Sequence, residues 1–287
     1  MLDRVRRSLR AEQIRRSLRD KVTRAIDDVV GPYHRAQTER IDALQRELDG
    51  LREDVRHQSD RIVETSRQFE IRARRDLVFA GEREAALQSA QFVRDHMPKV
   101  PQFGHPHQTL EFALGLVEQD GLALEFGVYT GSTLKIIAAA RGEKDVYGFD
   151  SFEGLPEDWR NGFPAGMFNV EGLPDVPGAE LVVGWFDDVL PGFLEEHEGP
   201  VTFLHVDCDL YSSTKTVLEL VGPRLVPGSI VAFDEYFNFP GWEQHEHKAW
   251  MEYVEKSGIE FSYEGYTYDH EQVIVRVTSV LAAPEGQ

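Results

Sequence analysis

Residues 201–216 read VTFLHVDCDLYSSTKT. Val201 to His205 are mostly β-branched, aromatic or apolar and suit a buried strand. Two carboxylates, Asp207 and Asp209, arrive where that strand should end. Ser212, Ser213 and Thr214 then suit the start of a helix. A strand that delivers acids at its carboxyl end is how open α/β sheets build sites. The pattern repeats downstream: Gly228 to Phe233 (GSIVAF) reads as a second buried strand ending in Asp234 and Glu235. If the two strands are neighbours, three or four acids converge on one edge of the sheet. Close carboxylates repel and raise each other's pKa. A divalent cation is the simplest group that holds them together.

Upstream, Leu122 to Phe126 (LALEF) is an apolar strand containing Glu125. A turn follows through Gly127, Tyr129, Gly131 and Ser132, and Leu134 to Ala140 reads as a helix. Glycines let backbone approach a ligand, and a helix N-terminus offers free N–H groups. The spacing is not the dinucleotide fingerprint GxGxxG and is weak evidence by itself. Val146 to Phe149 is the next strand and ends in Asp150. An acid there can accept from two ribose hydroxyls, or, with Ser151, cap a helix. Residues 153–178 form a Gly- and Pro-rich loop with several aromatics, long enough to be a lid or substrate wall. Leu181 to Val183 is a strand. Trp185, Phe186, Asp187 and Asp188 sit at its exit, suited to flank a planar base or, for Asp187, to cap a helix. Tyr236 to Trp242 is aromatic and turn-rich, and a helix runs from about Glu243 to Lys256. Phe261 to Tyr266 and Gln272 to Val277 close the sheet as an antiparallel pair. The fold expected is α/β: a Rossmann-like sheet with helices on both faces.

The first hundred residues differ in character. Over residues 2–30, apolar side chains recur three or four apart and Arg fills the other face, an amphipathic basic helix that Gly31-Pro32 should end. Such a helix can lie on a membrane surface; packing on another helix is the plainer alternative. Ile41, Leu44, Leu48, Leu51, Val55, Ile62 and Phe69 follow a heptad, with Gln58 and Thr65 as polar core positions. This predicts a coiled coil that makes a homo-oligomer; a helix folded back on its own domain is the alternative. Residues 80–100 are helical up to Pro98, and a linker follows from Met97 to His107. The organisation expected is a helical arm over residues 1–99, a catalytic domain over 100–282 and a disordered tail over 283–287.

Charge narrows the function classes. The chain of 287 residues carries −19 overall. Residues 1–75 hold 19 Lys and Arg against 14 Asp and Glu, and the rest holds 12 against 36. An acidic main domain argues against a nucleic-acid substrate, since phosphate backbones need a basic surface. One cysteine, Cys208, excludes an internal disulfide and suits the cytoplasm. No apolar run reaches the ~18 residues of a membrane span, and the N-terminus lacks the apolar core of a secretory signal.

Five motifs in order, LEFGVYTGSTL, YGFDSFEGLPE, GWFDDVLPGF, FLHVDCDLYSSTKTVLE and IVAFDEYFNFPGW, resemble the macrocin O-methyltransferase family over roughly residues 100–278. The resemblance implies a class I S-adenosyl-L-methionine-dependent methyltransferase with a seven-stranded sheet and a reversed last strand. It implies Mg2+ on Asp207, Asp234 and Glu235. Family members carry Asp-Asp at the last pair, so Glu235 is a departure. The resemblance places the methionine part of the cofactor near Glu125, Gly127, Tyr129, Gly131, Ser132 and Asp207. It places the ribose on Asp150 and Ser151, and the adenine near Phe152, Phe186 and Asp187. It implies a sugar-like hydroxyl acceptor on a natural product, lipid or polysaccharide.

Methyl transfer from a sulfonium is an in-line displacement, so alignment and electrostatics supply most of the rate. Asp207, Asp209 or His247 are the candidate bases. His105, His107 and His270 are further, weaker candidates. The lysine that catechol-type relatives carry three residues after the first metal acid is Leu210 here. Two rival readings remain. Asp207-Cys208-Asp209 is a DxD and could hold a metal on a nucleotide sugar in a glycosyltransferase, which leaves Glu125 and Asp150 without a task. A non-enzymatic coiled-coil assembly protein would have no use for the acids.

Overall fold

The computed structural model describes the backbone of residues 2–280 and side chains from residue 12; the expected tail lies outside them. The chain divides into two compact units, residues 1–76 and 77–287.

The first unit is one helix, α1 (Leu2–Arg75). Gly31-Pro32 does not end it, and Pro32 sits inside the helix. A proline removes one backbone hydrogen bond at a cost of about 3 kcal/mol, yet the helix runs on through Val29, Val30, Tyr33 and His34, none of them a strong helix former. At 74 residues the helix is about 110 Å long. Its heptad residues are solvent-exposed, from 47% at Leu48 to 66% at Ile62.

The second unit starts with α2 (Leu77–His96), which sequence reasoning had given to the arm. Ala85 and Met97 lie in the main core, which is why the boundary falls before α2 and not at residue 99. The order continues β1 (Gln102–Phe103), α3 (Pro106–Gly115), β2 (Leu122–Phe126), α4 (Ser132–Ala140), β3 (Val146–Asp150), β4 (Glu180–Val183), α5 (Phe186–Glu196), β5 (Val201–Val206), α6 (Tyr211–Val221), β6 (Leu225–Phe233), α7 (Glu246–Ser257), β7 (Glu260–Thr267) and β8 (Val273–Ser279).

These strands form one sheet in the order β1-β7-β8-β6-β5-β2-β3-β4. β8 is antiparallel to β6 and to β7, and the remaining pairs are parallel. The expected seven strands are present with the last reversed; the eighth is the two-residue β1 on the edge of β7. Helices cover both faces, so strands β2, β5 and most of β6 are buried throughout.

Strand parity decides which face each side chain serves. Leu124, Phe126, Leu204, Val206 and Phe233 pack on α5, α6 and α7 through Leu190, Phe193, Val217, Leu218 and Trp250. Ala123, Phe203, Ile230 and Ala232 pack on α3 and α4 through Leu110, Ala113, Leu134 and Ile137. Each large apolar side chain so buried contributes about 1.5–3 kcal/mol. From β2 the chain proceeds outward to β3 and β4 in one direction, then crosses to β5 and β6 in the other. The switch between β2 and β5 leaves a crevice at their carboxyl ends, where ligands of open α/β sheets bind.

Candidate active site

The crevice is a cavity of about 630 Å³, bordered by the turn after β2, the ends of β3 and β5, the start of α5 and the first turns of α6. Gly127, Tyr129, Ser132, Asp150, Ser151, Phe186, Asp187, Asp207, Asp209 and Glu235 all line it. Gly127 has φ +94° and lies against the backbone after β5. Gly131 is the N-cap of α4 in the left-handed region, with no side-chain cap. The α4 N-terminus, Ser132 and Thr133, therefore faces the cavity with free N–H groups. Tyr129, Phe152 and Asp209 also have positive φ, at 48°, 58° and 62°. Non-glycine residues held there cost about 1–3 kcal/mol each and cluster at functional sites.

Asp150 does not cap a helix. Its Oδ2 accepts from the amides of Val128 and Tyr129, both at 2.8 Å, and its Oδ1 accepts from Phe152 N–H at 2.7 Å. The carboxylate pins the glycine turn to the end of β3, and with three bonds accepted it keeps one free lone pair, on Oδ1.

Beside the cavity the acids gather. Ligand atoms of His205, Asp207 and Asp234 lie within 4.8 Å of one another. Glu235 is buried with Oε2 unpartnered, and its N–H donates to Oε2 of Glu246 at 2.9 Å. Glu246 is fully buried in the first turn of α7, and its Oε1 has no partner. Burial and then the charge of Asp234 push Asp207 well above the usual carboxylate range and Asp209 up to about 7. Burial and neighbouring acids, Asp209 for Glu235 and Asp234 for Glu246, raise these two glutamates as well. Asp234 runs the other way: burial would raise it, but His205 outweighs that and holds it down. Buried, mutually repelling oxygens with orphaned lone pairs are a donor set that fits a hard divalent cation.

Four expected residues lie elsewhere. Glu125 is fully buried and bonds His205 Nδ1 through Oε1 at 2.8 Å. Strand parity turns it to the α3–α4 face, away from the cavity. Phe152 packs in the core beside Val128 and Leu134, because its left-handed backbone turns the ring inward. Gly131 does not line the cavity, and a Cβ placed on it would meet Val176 and Pro174. His247 sits among Phe92, Tyr236 and Trp242, with ring centroids 5.0–5.4 Å away, and burial pushes it down to about 4. Helix periodicity gives Glu246, its neighbour, to the acid cluster instead.

Sequence reasoning missed His205, Glu246, Arg160 and Glu271. Arg160 in the long loop pairs with Glu271 at 3.0 Å and lies 3.9 Å over the Trp159 ring. Trp159, Phe163, Phe168 and Tyr129 then continue as ring contacts, 5.0, 5.8 and 5.7 Å apart, to the cavity wall. Parity on β5 would have found His205, two residues before Asp207. The other three depend on loop and helix placement that no local spacing reveals.

Residues 124–236 match a family model described as a methyltransferase domain. A curated relative, 8-demethyl-8-(2,3-dimethoxy-alpha-L-rhamnosyl)-tetracenomycin-C 4'-O-methyltransferase of Streptomyces olivaceus, is 31% identical over 156 residues, 44% of this chain and 58% of that protein. The chain thus spans less than two thirds of that relative's length. Among solved structures, the calicheamicin methyltransferase CalS11 is similar at 23% identity and TM-score 0.46, over 67% of this chain and 91% of its own. The O-methyltransferase NovP is similar at 25% identity and TM-score 0.45, over 59% of this chain and 79% of its own. Among the described residues no helix is long and apolar enough to cross a membrane.

Proposed function

We propose that the protein transfers the methyl group of S-adenosyl-L-methionine to a hydroxyl of a sugar-like acceptor, assisted by Mg2+. The observation that carries this reading is the meeting, at the β2–β5 switch, of a cavity of about 630 Å³ with an acid cluster beside it, the two sharing Asp207. The match to a methyltransferase domain and the likeness to a rhamnosyl-tetracenomycin-C 4'-O-methyltransferase support it.

The cofactor supplies an electrophilic methyl group on sulfur. Gly127, Tyr129 and Ser132 bind its methionine part, and Asp150 with Ser151 accepts from the ribose. Phe186 and Asp187 flank the adenine, Asp187 accepting from its exocyclic amine. Asp207, Asp234 and Glu235 would hold the cation, which supplies Lewis acidity that lowers the acceptor hydroxyl's pKa. Asp209 is the base: it lines the cavity, and its raised pKa of about 7 matches proton removal near neutrality. The proton moves from the hydroxyl to an Asp209 carboxylate oxygen as the acceptor oxygen bonds the methyl carbon and the carbon–sulfur bond breaks. The loop carrying Arg160 and its row of rings closes one side of the site and excludes water.

The exposed heptad of α1 makes the protein a homo-oligomer, and the basic amphipathic sequence of residues 1–30 suits contact with an anionic membrane surface. One cysteine, buried Cys208, fits a reducing cytoplasm. Calorimetric titration tests the activity class: S-adenosylhomocysteine should bind, with or without Mg2+. Binding of UDP-sugars alone would assign the DxD to glycosyl transfer instead, and no binding of either would favour an assembly protein.

A further inference from the structure

We propose that Glu125 and His205 are a buried positioning pair that sets the Asp234 carboxylate for the cation, so that the acid of β2 serves the metal and not the cofactor. The inference rests on the reading of Asp207 and Asp234 as cation ligands.

Register and parity create the pair. Glu125 stands opposite His205 across β2 and β5, and His205 stands opposite Ala232 across β5 and β6. Asp234 is two residues past Ala232 and so shares its face. One polar file therefore crosses three adjacent strands on the α3–α4 face. Its members are within reach: His205 Nδ1 is 2.8 Å from Glu125 Oε1, and Nε2 is 3.7 Å from Asp234 Oδ1. The side chains of His205 and Glu125 are 3% and 0% exposed, whereas Asp234 keeps 24%. Glu125 occupies Nδ1, which leaves Nε2 alone turned to the cluster and fixes the ring's orientation. Outer partners orient metal-ligating carboxylates in this way in general. Glu125 borders no part of the large cavity, while Gly127, two residues on, does. Its Oε1 is held by His205 and its Oε2 is buried without a hydrogen-bond partner, so neither oxygen opens on that cavity.

Neither residue is catalytic in this account. Mn2+ is the probe for the cation, read by electron paramagnetic resonance of the free ion, and S-adenosylhomocysteine is the probe for the cofactor, read by calorimetry. The variants are Glu125→Gln, which is isosteric, and His205→Gln, each with its melting temperature. Both should raise the Kd for Mn2+ by about 10–100-fold and leave that for S-adenosylhomocysteine within about threefold. A purely structural role would lower both affinities together with the melting temperature, and overturns the proposal. So does a Glu125→Gln variant that loses cofactor and keeps Mn2+. Should His205→Gln not fold, Glu125→Gln decides. Wild-type protein that takes cofactor but no Mn2+ overturns this proposal and the cation site while leaving methyl transfer standing; wild type that takes neither ends both readings.

Discussion

A Cβ placed on Gly127 would stand 1.6 Å from the carbonyl oxygen of Asp207. The turn after β2 and the end of β5 therefore touch backbone to backbone, and that contact brings the glycine turn beside the acids. Gly127→Ala must separate the two chains and also strain φ +94°. A loss of about 3 kcal/mol or more is expected, or about 6–12 °C in melting temperature for a domain of this size. Scanning calorimetry checks it; an unchanged melting temperature would mean that the loops are not in contact.

The cation-free protein should lose stability as pH rises. Asp209 titrates near 3.8 unfolded and about 7 folded, so the folded state holds the extra proton between these values. Its contribution is full below the unfolded pKa and is lost as pH climbs through about 7. Burial and its acid neighbours act on Asp207, Glu235 and Glu246 in the same direction. Mg2+ favours the charged forms, so it should raise the melting temperature by about 5–10 °C at a hundredfold excess over Kd near pH 8, and by much less near pH 5. Thermal scans at both pH values decide; equal shifts contradict the cluster as the ion's site.

Asp209→Asn should lower kcat by about 10²–10⁴-fold with cofactor affinity unchanged. It should also remove the fall in wild-type rate below neutral pH. His247→Leu, in its aromatic surround, should leave kcat within about threefold. The opposite ranking in steady-state rates would return the base to His247.

How much of this was legible beforehand follows from the range over which each signal acts. The buried strands, their reversed closing pair and the acids at two strand tips are encoded within five to nine residues, where period and composition suffice. Asp207 and Asp234 could be expected together because acids at the ends of neighbouring strands have nowhere else to go. The fate of Glu125 could not be read that way, since its partner His205 is 80 residues distant and only register joins them. Gly31-Pro32 misled because a local breaking signal was weighed without the long helical sequence that continues to Arg75. The α2 boundary misled because Pro98 and Pro101 punctuate the chain, whereas Ala85 and Met97 decide by packing. His247 was chosen for its residue type, and α7 instead turns Glu246 to the acids.

The arm predicts a separate behaviour. Replacing Leu48 and Leu51 together by Asp puts charges into the exposed apolar seam of α1. Sedimentation should show the wild type as an oligomer at micromolar concentration and the variant as single chains, with the melting of residues 77–280 unchanged. A wild type that sediments as one chain contradicts the coiled coil.

The central claim is that Asp234 serves a cation next to, and separate from, the cofactor's cavity. Its most direct measurement is the S-adenosylhomocysteine Kd of Asp234→Asn beside its turnover. The account predicts turnover lost and Kd within about twofold of wild type; a Kd that worsens in step with turnover would contradict it.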